Sequence, residues 1–302
     1  MSPFPFKLLS DLSQRLGLAG NPYSPRQLFD RASALKLSKP SLPTQPDNIN
    51  WNHGLAWQAM PHLSRDALSG PEQYDKIAAR EALLRLIQTE HLPTQNIDIR
   101  NIDGMASNIP IAGVFGSMEA YLQSLPSRRI RIISQNDFRQ ALAIALPQRN
   151  QGRPLTVVSA NWRGERLYLN KVQDPEALAR AIIYARNRGL NELLTVRRID
   201  YRVTEKALDE LASRYHFLGI TPSSWKDQDL LTILVDSRLP YARLRFTNAG
   251  ENDPEYLLLP QNNALSKAIG DGLLLAGAPD LITSLKQWLQ QAQAKRSVVA
   301  TA

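Results

Sequence analysis

RPLTVVSANWRGERLYLNKVQDPEALARAIIYARNRGLNELLTVRRIDYR, residues 153–202, is the stretch whose pattern decides the fold. Leu155 to Ala160 is rich in β-branched residues and reads as a strand. Asn161 to Glu165, with Gly164, supplies a turn. Arg166 to Asn170 alternates Leu167, Tyr168 and Leu169 as a second strand. Asp174 is a helix N-cap, Pro175 suits the first helical position, and Gly189 suits the stop after Arg188. Leu194 to Val203 reads as the returning strand. The order is hairpin, loop, helix, strand.

Outward from this unit, the fold class reads as α+β: a mixed sheet with flanking helices and an N-terminal helical region. Four segments are expected. Residues 1–37 form the helical segment, with helices at 6–18 and 24–37. Residues 38–50 are a connector bearing Pro40, Pro43 and Pro46. Residues 51–296 form one mixed α/β domain, and 297–302 a frayed tail. Inside the domain, apolar spacing predicts helices over Gly70–His91, Gly113–Leu125, Asp137–Leu146, Thr204–Tyr215 and Asp280–Lys295. Strands are expected at 98–102, 129–133, 230–235, 241–246 and 256–259.

Composition removes several chemistries. The chain of 302 residues has no cysteine. Disulfides, thiolate metal sites, iron–sulfur clusters and a cysteine nucleophile are therefore excluded. No apolar run is long enough to span a bilayer, and Asp11 and Arg15 interrupt what would be the apolar core of a signal peptide. The chain reads as cytoplasmic.

The formal net charge is +8. Between Pro126 and Phe217 seventeen arginines and lysines face nine carboxylates, so the whole surplus falls in this region. Guanidinium forks match phosphate oxygens. The binding candidates are Arg128, Arg129, Arg131, Trp162, Arg163, Arg166, Arg180, Arg197 and Arg198. Asn161-Trp162-Arg163 would set an aromatic ring beside a guanidinium, a pair able to stack on a base while touching phosphate. The blander reading has Trp162 covering the edge of the core.

The central order, with its apolar helix ending in Arg188-Gly189, resembles the partition-protein (ParB) and sulfiredoxin-like fold over about residues 153–200, within a unit at 153–203. That resemblance implies a loop at a helix start whose amides and arginine hold nucleotide phosphates. The matching segment is Asn170 to Ala181. Pro175 stands where a glycine would let the chain approach phosphate, and it lacks an amide donor. Leu178 stands at the arginine position. Arg180 is displaced two residues, about 200° around the helix. Glu176 suits the helix dipole but repels phosphate. The unit therefore reads as ParB-like with a degenerate nucleotide site.

Other candidates are weaker. His53 and His62 match no zinc spacing, and His91 and His216 are isolated. Gly113-Val114-Phe115-Gly116-Ser117 lacks the Walker lysine. Asp200, Asp227, Asp229 and Asp236 are scattered acids that a two-metal nuclease would have to gather. No metal and no cofactor is expected. The leading function is a non-catalytic binding protein whose basic centre contacts DNA, RNA or an acidic protein. The alternatives are a nucleotide- or nucleic-acid-processing enzyme assembled only in the fold, and an accessory or immunity-type protein of a mobile element. Oligomeric state stays open.

Overall fold

The computed structural model describes residues 23–38, 48–53, 56–107, 109–126, 131–246 and 255–300. In chain order the helices are α1 (Pro25–Ser33), α2 (Gln73–Leu84), α3 (Met118–Ser124), α4 (Gln135–Ala145), α5 (Pro175–Arg188), α6 (Glu205–Arg214), α7 (Gln228–Asp236), α8 (Ala264–Leu275) and α9 (Leu281–Ala300). The strands are β1 (Leu68–Ser69), β2 (Ile87–His91), β3 (Gln95–Asp98), β4 (Gly104–Ser107), β5 (Leu155–Ala160), β6 (Tyr168–Val172), β7 (Leu193–Val203), β8 (Tyr215–Ile220), β9 (Ala242–Leu244) and β10 (Glu255–Pro260). The fold is α+β. Where a single mixed domain over 51–296 is expected, the described residues group into two compact units.

The larger unit takes its described residues from Leu42–Leu63, Ala82–Leu211 and Ile282–Ala302. It holds a six-stranded mixed sheet in the order β2-β7-β5-β6-β4, with β3 also on β7. β7 is long enough to serve two short partners along one side. β2 runs antiparallel to its second half, from Ile87↔Val203 to His91↔Ile199. β3 does the same for the first half, from Gln95↔Val196 to Asp98↔Leu193. Pro93 lies in the break between them. On the other side β5 pairs in parallel, from Leu155↔Val196 to Ala160↔Tyr201.

The β5–β6 hairpin and the helix that follows obey the local signals. Asp174 Oδ1 accepts the Ala177 amide at 2.9 Å, and Pro175 occupies the first turn. Gly189, at φ 62°, ends the helix in the left-handed region that glycine enters without steric cost. Ala177, Leu178, Ala181, Ile182 and Ala185 are buried and join Val157, Leu169, Leu194 and Val196 of the sheet. Three alanines on that face let the helix come close to the strands. Phe138 and Leu142 of α4, with Met118 and Tyr121 of α3, close the same core.

The smaller unit takes its described residues from Met1–Ser41, Ser64–Glu81 and Ala212–Leu281. Its four strands run β1-β9-β10-β8, each pair antiparallel. Leu28 and Ala32 of α1, Leu230, Ile233 and Leu234 of α7, and Ile269 and Leu273 of α8 pack with Leu218, Ile220, Leu257 and Leu259. α1 sits so close to α8 that a Cβ on Gly272 would meet Ala32 Cβ at 2.7 Å and Phe29 O at 2.8 Å.

Several expectations are corrected. Residues 230–235 are helical. Asp227 accepts the amides of Asp229 and Leu230 and so starts α7, and Leu230, Ile233 and Leu234 bury at helical spacing. The helix expected over Gly70–His91 stops at Leu84, because β7 captures residues 87–91 as a strand. The helix expected over Gly113–Leu125 is confined to α3. The strand expected at 98–102 is instead β3 followed by a 3-10 turn, Ile99–Asn101. Of 129–133, residues 131–133 have no regular structure and the rest lie outside the described residues. The helix at 6–18 and most of the connector (39–47) also lie outside them, whereas Asn48 and Asn50 are buried. α9 continues through Ala300, so the tail expected from 297 is largely helix. β4, β8 and α8 had no counterpart in the sequence pattern.

Leu178 is completely buried, whereas Ile144 is 45% exposed. Leu178→Ala is expected to cost about 2–5 kcal/mol through lost burial and a residual cavity. Ile144→Ala is expected to stay within about 0.5 kcal/mol. Urea unfolding of the two variants beside the parent checks both.

Candidate functional site

The start of α5 is the first place to look for an anion site, and its own side chains already fill it. The Ala177 amide goes to Asp174 and the Leu178 amide to Asp174 O at 3.1 Å. Glu176 is 9% exposed and is bonded by Arg180 Nε at 2.9 Å. A salt bridge between the same two residues closes at 2.8 Å. The Tyr121 hydroxyl stands near this turn. Burial pushes its pKa up, and the charges of Asp174 and Glu176 push it further. The turn thus presents negative charge to any incoming phosphate. Arg180 is spent on Glu176.

Trp162 and Arg163 do not form an exposed pair. Both lie in the 3-10 turn Asn161–Arg163 and both are buried, at 1% and 3% exposure. The chain reverses through Gly164 (φ 70°) and Glu165 (φ 58°), two consecutive left-handed residues. This folds Arg163 back under the sheet. Its guanidinium donates to Asn50 O at 3.2 Å, Trp51 O at 3.0 Å and His53 O at 2.6 Å. It lies over the rings of Trp51 and Tyr168, at 4.9 and 5.3 Å. Burial pulls its pKa below the usual arginine value. No carboxylate pairs with it among the described residues. His53 is drawn below its ordinary pKa, first by burial and then by the charge of Arg163.

The other arginines divide by what they touch. Arg166 donates to Asp103 O at 3.0 Å and Gly116 O at 3.3 Å, and it covers Tyr168. Arg198 forks onto Asp200, with Nε to Oδ1 at 2.6 Å and the second nitrogen to Oδ2 at 3.0 Å. Residues 198 and 200 share a face of β7 because side chains alternate along a strand. Arg202 stands 3.6 Å from Asp200 and 3.9 Å from both Glu90 and Glu165. This ionic cluster lies at the carboxyl ends of the parallel strands β5 and β7, beside buried Ser159. Asp200 is 4% exposed and serves as a counter-ion there.

Arg197 points the opposite way. Leu194 and Val196 face the helix-covered core, so Leu193, Thr195 and Arg197 face away from it. Thr195 and Arg197 are exposed. Thr195 donates to Asn96 across β3 at 3.0 Å, and Thr156 lies in register with Arg197. Arg131 is also exposed. Arg128 and Arg129 lie outside the described residues. The seven described residues of the nine divide among buried, bonded and exposed positions. The Arg198–Asp200 pair was open to period-two reading. The burial of Arg163 had no local signal.

His62 and His91 are exposed, and Asp236 is exposed at the end of α7. His216 stands 3.3 Å from Asp271 in the smaller unit, where burial lowers its pKa more than Asp271 raises it. Among the described residues no group of three or more His, Asp and Glu side chains could hold a metal ion.

Arg163→Met is expected to cost about 3 kcal/mol or more, since each carbonyl left without a donor costs roughly 1–3 kcal/mol. Arg163→Lys keeps the charge but loses the fork and should fall between Met and the parent. Thermal and urea unfolding order the three. No curated protein and no solved structure matches the chain. Residues 92–298 match the model of a family of unknown function, DUF6685, and the chain belongs to that family.

Proposed function

We propose that this chain is a binding protein that holds an anionic partner, foremost a nucleic-acid backbone, through the arginines its own fold leaves uncommitted. The observation that carries this reading is the division of the guanidinium groups. Arg163, Arg166, Arg180 and Arg198 are engaged with carbonyls or carboxylates. Arg131 and Arg197 face solvent, with no ion pair among the described residues. Arg197 sits on a polar strip of sheet with Thr156, Thr195 and Asn96, whose hydroxyl and amide groups suit phosphate and sugar oxygens. Among the described residues no aromatic ring stacks with Arg197, so contact through the backbone fits better than base stacking.

The ParB-like resemblance remains part of the proposal, in its non-nucleotide form. The β5–β6 hairpin, α5 and β7 occur in the required order. The acid-filled start of α5 supports a role without nucleotide. Among the described residues no helix is long and apolar enough to cross a membrane. A cytoplasmic location belongs to the same proposal.

Binding to mixed-sequence DNA and RNA is expected to weaken linearly in log–log salt titrations, by about 0.9 in slope per duplex phosphate neutralised. Arg197→Glu and Arg131→Glu should each weaken binding and flatten that slope while leaving the thermal unfolding curve in place. Binding to neither nucleic acid, or binding indifferent to salt, overturns the nucleic-acid reading. Retained binding to an acidic protein would then identify the alternative partner.

A further inference from the structure

The smaller unit carries a cleft that the basic centre does not use. It is lined by Ser64, Asp66, Ala67, Ser69, Arg243, Arg245 and Phe246, is open to solvent, and has a volume of about 510 Å³. That is room for a small molecule, within the range of about 300–1,000 Å³ common for ligand sites. From its charge and its shape we propose that this cleft binds a small amphoteric molecule of the α-amino acid class.

The floor is fixed by a buried ion pair. Glu255, at the start of β10, is 2% exposed, and its carboxylate bonds Arg243 of β9. Arg243 lies over the ring of buried Trp225 with its guanidinium carbon 4.3 Å from the centroid. It is therefore held from two sides. Ser69 pairs with Arg243 in the β1–β9 register, so its position is set by the sheet. Ser64 is anchored through its carbonyl, which accepts Arg80 Nε at 2.9 Å. The Phe246 ring is set edge-on to Tyr256, with centroids 5.6 Å apart.

Arg245 differs from Arg243. Its Nε is 3.8 Å from Glu255 Oε1, beyond hydrogen-bond reach, and its side chain is 56% exposed. Glu255 attracts it without using its donors. Asp66 is exposed on the same cleft and has no ion pair among the described residues. The cleft thus offers one guanidinium whose donors Glu255 does not take and one carboxylate with no ion pair among the described residues, together with two hydroxyls and one aromatic ring.

Charge decides the ligand class. Two arginines and two carboxylates leave the site near neutrality. A polyanion would gain Arg245 but would meet Asp66 and Glu255 as like charges. A simple cation would meet the reverse conflict. A zwitterion satisfies both groups at once: its carboxylate forks onto Arg245, and its ammonium donates to Asp66. Phe246 leaves an apolar contact for the side chain.

Calorimetric titration of the full chain with each common amino acid tests this. At least one is expected to bind, with an apolar or aromatic side chain preferred. Its amide, which lacks the carboxylate, and its N-acetyl form, which lacks the ammonium, should each bind at least tenfold more weakly. Arg245→Gln and Asp66→Asn should each lose at least tenfold in affinity. Both positions are exposed, and far-ultraviolet circular dichroism confirms that the variants fold. Inorganic phosphate, used as a probe, should not compete. The proposal is overturned if no amino acid binds at millimolar concentration, if either variant binds as the parent does, or if phosphate alone displaces the ligand. The cleft lies outside the basic centre, so loss of nucleic-acid binding in the Arg197 variant leaves this test unaffected.

Discussion

One buried cation holds the larger unit together. Arg163 enters the interior with no carboxylate partner among the described residues and is kept there by three main-chain carbonyls and two aromatic rings. Those carbonyls belong to residues 50–53, a segment with little regular structure of its own. The same segment is tied to β4, where Met105 donates to Ile49 O at 2.7 Å and Trp51 donates to Met105 O at 2.9 Å. Tyr168 completes the attachment by donating its hydroxyl to Asn48 O at 3.0 Å. A hydrogen bond with an ionised donor is about twice as strong as a neutral one. The fork spreads that strength over carbonyls that would otherwise be buried without partners.

The start of α5 shows a second constraint, in which helix formation and anion binding compete for the same groups. A helix N-terminus has orphan amides that either an acid of the chain or a ligand can satisfy. Asp174 takes that place here, and Arg180 neutralises Glu176 beside it. The outcome is a stable first turn with its donors already directed inward. Positive charge on this protein is thus presented elsewhere, on the side chains that the interior leaves over.

Local signals were legible where the chain carries its own punctuation. Asp174, Pro175 and Gly189 set both ends of α5, and the structure keeps those ends. The N-cap Ser24 and Pro25 set the start of α1, whose end at Ser33 falls short of the expected 37. Legibility failed where a distant partner decides. Residues 87–91 continue a helical pattern, but β7 offers an open ladder and takes them as a strand. Residues 230–235 are β-rich in composition, yet Asp227 and the packing of Leu230, Ile233 and Leu234 favour a helix. Gly270 and Gly272 carried no sequence signal for packing. In α8 they are sites of close approach, to His216 and to α1. The candidate site was less readable than the fold. Clustering of arginines in sequence said nothing about which would turn inward, and Arg163 turns inward only because Gly164 and Glu165 adopt left-handed backbone.

The divided partnering of β7 bears on how this protein behaves at high concentration. A long straight border with free amides and carbonyls invites a second molecule to dock strand to strand. Here that border consists of two short pieces, β2 and β3, with Pro93 at the gap. Proline removes one donor, and exposed Glu90, His91 and Asn96 put charge and polarity beside the remaining ones. The interruption denies a neighbouring chain any continuous template, which guards a sheet-containing protein against filament growth.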